Sequence, residues 1–162
     1  MSPFYDTDFG AWLEAQLHAL ATGAWAELDI PHLCDELDGV RRHYLQELEW
    51  SLQQVIEARL VWDYAPAQRS DWWQGHMNTS HSHLMTFLTH NPSFRQVLGQ
   101  RYPVLYQHAI HGLQRYHHLD PTGWPRVPPW PVEDLIEHYQ TIQDAWREMV
   151  PQTPHEDDAD AR

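Results

Sequence analysis

The stretch HMNTSHSHLMTFLTH, residues 76–90, holds four of the chain's 13 histidines. An imidazole can ligate a metal, relay a proton, or sit half-buried at the border of a helix. Spacing separates these roles. On a helical wheel Trp73, Met77, Leu84, Phe87 and Leu88 form an apolar stripe, and His76, His83 and His90, seven apart, share its border. Seven residues are about 10.5 Å of helical rise, whereas every ligand of one zinc lies about 2 Å from it. Three such histidines on one straight helix cannot share an ion. His81 falls on the opposite margin, at the wrong spacing from His76 and His83. The segment reads as a helix with boundary histidines.

Other pairs have a workable spacing. His108 and His111 are i,i+3, while His32 with Glu36, His43 with Glu47 and Asp134 with His138 are i,i+4. Among 13 histidines and 23 acids such pairs also arise by chance, and His108 and His111 remain as the candidate metal ligands. There is no H-E-x-x-H and no duplicated E-x-x-H, as a zincin or di-iron bundle would need. Cys34 lies on the apolar side of its helix, one residue from Leu33, where a thiol is expected to be inert core. All ten basic residues are arginine, which removes Schiff-base, P-loop and general-base lysines. G-x-S-x-G and G-x-G-x-x-G are absent as well. No catalytic residue and no cofactor is expected.

One segment asks for more than packing. WDYAPAQRSDWW, residues 62–73, gathers three tryptophans, a tyrosine and an arginine around a helix–helix turn. Aromatics with arginine are the composition of interface hot spots and cation–π contacts, so Trp62, Tyr64, Arg69 and Trp72 form a candidate interaction surface. The alternative is a plug: Trp62, Tyr64 and Trp73 closing the end of a bundle, with Arg69 capping carbonyls. Trp73 is central in the apolar stripe and Trp72 lies about 100° away. Trp72 is therefore the tryptophan expected at the surface.

The elements that position these residues are all helical. A first helix is expected from an N-cap at Asp6 or Thr7 to Gly23, with Phe9, Trp12, Leu13, Leu17 and Leu20 as its buried face. A second opens after Asp29, with Pro31 in its first turn, and runs to about Tyr64. Its stripe includes Leu33, Leu37, Val40, Tyr44, Leu48 and Leu52. A third spans about 71–90 behind a cap at Ser70 or Asp71. A fourth follows with Asn91 as N-cap and Pro92 at its first position, and Pro103 should kink or split it. LDPTGWPRVPPWP, residues 119–131, is a proline-rich crossing before a last helix over about 132–148. No strand-like run competes. The expectation is an all-α bundle of four to five main helices, one of them long, as a single domain over 1–150 with a disordered acidic tail at 151–162.

Net charge is −13, which opposes counterion-release binding, so nucleic acid is not an expected partner. No apolar run approaches the length of a membrane span, and MSPFYDTDFG lacks the basic and apolar regions of a signal peptide. With a single cysteine, these features suit a cytoplasmic protein.

Longer patterns carry a resemblance. Tyr5, Asp8, Phe9 and Trp12, then Leu28-Asp29, Leu33, Glu36 and Leu37, stand near the start. Trp62, Tyr64, Pro66, Arg69, Ser70 and Trp73 form a mid-chain pattern, and Pro125 to Leu135 a proline-bounded end. Over residues 5–138 the chain resembles the bacterial family catalogued as domain of unknown function twenty-nine, abundant in cyanobacteria. The resemblance implies a helical bundle and lends no catalytic residue. Where members are rich in Arg and Gln after the tryptophan motif, this chain has HMNTSHSH.

Two functions follow as expectations. The first is a non-catalytic helical interaction module acting through an aromatic-rich surface, with a homodimer mate or another protein as partner. The alternative is a metal-dependent enzyme with His and carboxylate ligands drawn from different helices. Charge gives the first test. Histidines with reference pKa near 6.5 carry the chain from −13 towards zero as pH falls to its pI of 5.3. Near-zero charge promotes association, so light scattering should rise steeply between about pH 7.5 and 5.

Overall fold

The structure is a computed structural model that describes residues 4–137 and residue 144. Its elements are α1 (Phe9–Thr22), α2 (Ile30–Tyr64), α3 (Asp71–His90), α4 (Phe94–His117) and α5 (Val132–Glu137), with short 3₁₀ turns at Trp25–Glu27 and Pro66–Gln68. No strand occurs among the described residues, and the fold is an all-α bundle. The expected tail at 151–162, and the last helix beyond Glu137 apart from residue 144, lie outside the described residues. The chain forms two compact units, residues 1–46 and 47–162, with the division falling inside α2.

Helix ends follow local chemistry. α1 begins after Asp8, later than Asp6 or Thr7, because the Asp8 carboxylate accepts the Ala11 N–H at 3.0 Å. Gly23 ends it in the left-handed region at φ 73°, and the next N–H, of Ala24, bonds back to the Ala19 carbonyl. A side chain at Gly23 would be strained there. α2 runs Ile30–Tyr64, and Ser70 precedes α3 as its cap residue. Asn91 closes α3 rather than opening α4: both its backbone N–H and its side-chain amide donate to the Phe87 carbonyl. Ser93 is then the α4 cap.

Pro103 does not split α4, which is continuous over 24 residues. Proline deprives the Gly99 carbonyl of its helical donor. Pro103 is exposed, however, so water can serve that carbonyl, while Leu98, Tyr102, Leu105 and Tyr106 are buried on either side and hold the helix in line.

In the second unit the C-terminal half of α2 is almost wholly buried, with Leu48, Leu52, Val55, Ile56, Leu60 and Trp62 at 1% exposure or less. Trp73, Met77, Leu84 and Leu88 of α3 and Leu98, Leu105, Ala109 and Leu113 of α4 complete the core with Leu135 and Ile136 of α5. The proline-rich crossing is irregular, as its composition demands, yet it is pinned. Tyr102 donates its hydroxyl to the Trp130 carbonyl at 3.0 Å and Tyr106 to that of Pro125 at 2.8 Å, while the Gln107 amide bonds the Arg126 carbonyl at 2.6 Å. Three side chains of α4 thus satisfy three carbonyls of a segment that has no ladder of its own.

Glu57 is the exception in this core. Its carboxyl is buried and accepts from the Gln53 amide at 2.9 Å. Gly112 of α4 makes room for it, since a Cβ there would fall 2.8 Å from Glu57 Oε1. Desolvation raises the Glu57 pKa above its ordinary value, and the Gln53 bond opposes that only in part. Between the ordinary and the raised pKa the folded state holds the proton more tightly than the unfolded one. This group's contribution is therefore fully present below the ordinary carboxyl pKa and lost as pH rises through the raised one. Glu57→Gln keeps the acceptor and removes the charge. It should stabilise the protein at pH 8 by about 1 kcal/mol, roughly 2–4 °C in Tm, and the gain should vanish near pH 4.5.

Candidate functional site

The four residues of the aromatic turn go to three places. Trp62 is 1% exposed and belongs to the core rather than to a surface. Arg69 lies against it, donating from Nε to the Trp62 carbonyl at 2.9 Å with its guanidinium 5.3 Å from the indole ring. This is a helix-end cap with a cation–π contact. Tyr64 instead faces Trp124 and Trp130 of the crossing, each about 6.2 Å away. There the Trp130 indole donates to Asp63 at 3.1 Å, and Arg59 both pairs with that carboxylate and covers the ring. Trp72 is 56% exposed and stacks on His76 at 4.9 Å, with His117 at 5.9 Å. The turn is mostly plug, and Trp72 is its exposed member.

A larger apolar surface lies in the first unit. α1 and the start of α2 meet along a narrow seam in which Trp12, Gln16 and Ala19 are buried. Polar bonds organise this seam. Gln16 accepts the Asp29 N–H at 2.7 Å, His32 Nδ1 lies 2.8 Å from the Asp29 carboxylate, and Tyr5 stacks on His32 at 3.8 Å while donating to Glu36 at 2.6 Å. A carboxylate only accepts, so His32 carries its proton on Nδ1. The Glu36 bond holds the Tyr5 proton and raises the hydroxyl pKa to about 12.

The seam leaves the apolar stripes uncovered. On α1, Phe9, Leu13, Leu17 and Leu20 lie about 90° round the helix from Trp12, Gln16 and Ala19, and each is exposed. On α2, Leu37 and Val40 are exposed and Leu33 half-buried, about 90° round the helix from the inward His32 and Glu36. The two stripes border one groove of about 600 Å³, with Glu36 as its charged wall residue. Cys34 is an exposed groove residue, not inert core.

A family model described as domain of unknown function DUF29 matches residues 4–140. The chain belongs to the DUF29 family. No curated protein and no solved structure matches it. The match spans both the groove and the aromatic turn of this DUF29 chain, and its description brings no activity and no catalytic residue.

The histidines of the DUF29 chain have separate partners. His76 bonds the Gln54 side-chain oxygen, His83 Nδ1 lies 3.0 Å from Ser51 Oγ, and His90 Nδ1 lies 2.8 Å from the Thr86 carbonyl. Ser51 already donates to Glu47, so His83 is the donor in their bond. His81 is buried and donates to the Ile136 carbonyl at 2.9 Å, tying α3 to α5. Burial lowers the pKa of both His81 and His76; the Ile136 bond opposes it in the first, and nearby His117 reinforces it in the second. His108 and His111 are both exposed on α4. Among the described residues no three His, Cys, Asp or Glu side chains are grouped to hold a metal.

The groove was legible only as hydrophobic periodicity, and periodicity does not say whether a stripe is covered. The Trp72–Trp73 pair gives a direct test of burial. Trp73→Ala should lower stability by about 3–5 kcal/mol, as for a core aromatic. Trp72→Ala should cost less than about 1 kcal/mol. Thermal or urea unfolding of the two variants measures both.

Proposed function

We propose that this DUF29 chain is a cytoplasmic, non-catalytic interaction module, and that the groove between α1 and α2 is its docking surface. The observation that carries the reading is the exposure of both apolar stripes in a unit that already has its own buried seam. Leu17 is 58% exposed, Leu37 68% and Val40 51%. Single exposed leucines are ordinary, but a contiguous apolar patch rimmed by polar residues is what interaction sites look like. Trp72 offers a smaller aromatic contact elsewhere. No described helix is long and apolar enough to cross a membrane, and an exposed, unpaired thiol suits a reducing compartment.

Cys34 is the chain's single cysteine, so its alkylation rate reports whether the groove is covered. The rate should be several-fold slower in the cells that make the protein than for purified protein at low concentration. Leu17→Gln with Leu37→Gln should abolish this difference while leaving Tm within about 2 °C, as for surface positions. Equal rates in and out of the cell would mean the face stays bare, and the reading would fail. Unfolding of the double variant would show the two leucines to be core.

A further inference from the structure

We propose that the groove receives a basic amphipathic helix from a partner protein, apolar face inward, with its cationic side chains against the carboxylates of the rim. This rests on the groove being a docking surface and adds what docks there.

Backbone chemistry sets the form of the occupant. Both walls are helices, so their peptide groups are satisfied internally and offer no edge on which a strand could pair. Only side-chain burial is available. A segment entering the groove must therefore bring a backbone that is already hydrogen-bonded, and a helix does so. α1, at 14 residues, is about 21 Å long. A partner helix of three to four turns, with apolar anchors at i, i+3 or i+4, and i+7, matches that length. Its outer side stays in water, so it must be amphipathic.

Charge sets the sign. Residues 1–46 contain eight carboxylates and two arginines. Arg41 and Arg42 both pair with Asp38, at 2.6 and 2.9 Å. Glu36 stands in the groove wall. Glu14 follows Leu13 on the outer margin of the α1 stripe and is exposed. A second copy of the chain would bring the same carboxylates face to face, and like charges across an interface select against it. A helix carrying lysine or arginine beside its apolar anchors meets the opposite field and would be steered into the groove.

The test uses the full chain and two synthetic helical peptides of about 18 residues, with leucines at i, i+3, i+4 and i+7. One peptide has lysine and the other glutamate at the remaining positions. Anisotropy gives affinity, and the alkylation rate of Cys34 shows whether binding is in the groove. The lysine peptide should bind at least about tenfold more tightly than the glutamate peptide at about 50 mM salt, and lose several-fold by about 300 mM. It should slow Cys34 alkylation. Glu14→Gln should narrow the gap between peptides, and Leu17→Gln with Leu37→Gln should remove the protection. Equal protection by both peptides would overturn the basic partner and leave the docking surface standing. Lysine-peptide binding that leaves Cys34 unprotected, or no binding by either peptide, would overturn the proposal. So would protection of Cys34 by raising the chain's own concentration, with a dimer in sedimentation, which makes a second copy the occupant.

Discussion

A two-helix hairpin can bury only the seam where its helices touch, and this constraint governs the first unit. Each helix of α1 and α2 has a face about one third of the wheel wide available to its single neighbour. Trp12, Gln16 and Ala19 occupy that face on α1, held by the bonds that join Gln16, Asp29, His32, Tyr5 and Glu36. The polar bonds have direction, whereas apolar contact does not. They fix the rotation of the helices, and that rotation turns Leu13, Leu17 and Leu37 outward. In the second unit α3, α4 and α5 supply the further walls, and the apolar stripe of the C-terminal half of α2 disappears from solvent.

Much of the fold was legible because its signals are local. Gly23 at a helix end, Pro31 in a first turn, Ser70 before a helix and the proline-rich 119–131 each act through their own backbone, and the structure agrees with all four. What was misread depends on partners distant in the chain. Phe9, Leu13, Leu17 and Leu20 have the period of a buried face, yet each is exposed. Asn91 is the local exception: expected to open α4, it instead closes α3, because its amide reaches back four residues to Phe87. Glu57 gave no signal at all, since only the approach of Gly112 shows where that carboxyl lies.

The histidine-rich segment illustrates how a residue's chemistry is spent before any ligand arrives. His81 holds α5 through the Ile136 carbonyl, and His83 joins α3 to α2 through Ser51. His76 is engaged by Gln54 and covered by Trp72. In each bond one imidazole nitrogen is engaged, and burial at His76 and His81 favours the neutral ring. A neutral imidazole with one donor and one acceptor suits a helix boundary, where it can reach a carbonyl or an amide without carrying charge inside. Arginine does the corresponding work at the turn, where Arg69 both caps Trp62 and covers its ring.

The acidity of the chain and its exposed apolar face belong to one argument. An uncovered stripe of leucines invites association with anything apolar, including another copy. Carboxylates on the margins oppose the last of these, because bringing two such faces together also brings their charges within a Debye length, about 8 Å at physiological salt. The attraction per unit of apolar area is the same for every comer. In the proposed docking, discrimination would then come from the rim, which would repel acidic surfaces and draw basic ones. With no lysine anywhere and both arginines of the first unit held by Asp38, nothing in that unit offsets its six-charge excess of carboxylate. In the proposed docking, the charge that would keep an open hydrophobic groove from pairing with itself is thus the same charge that would select what enters it.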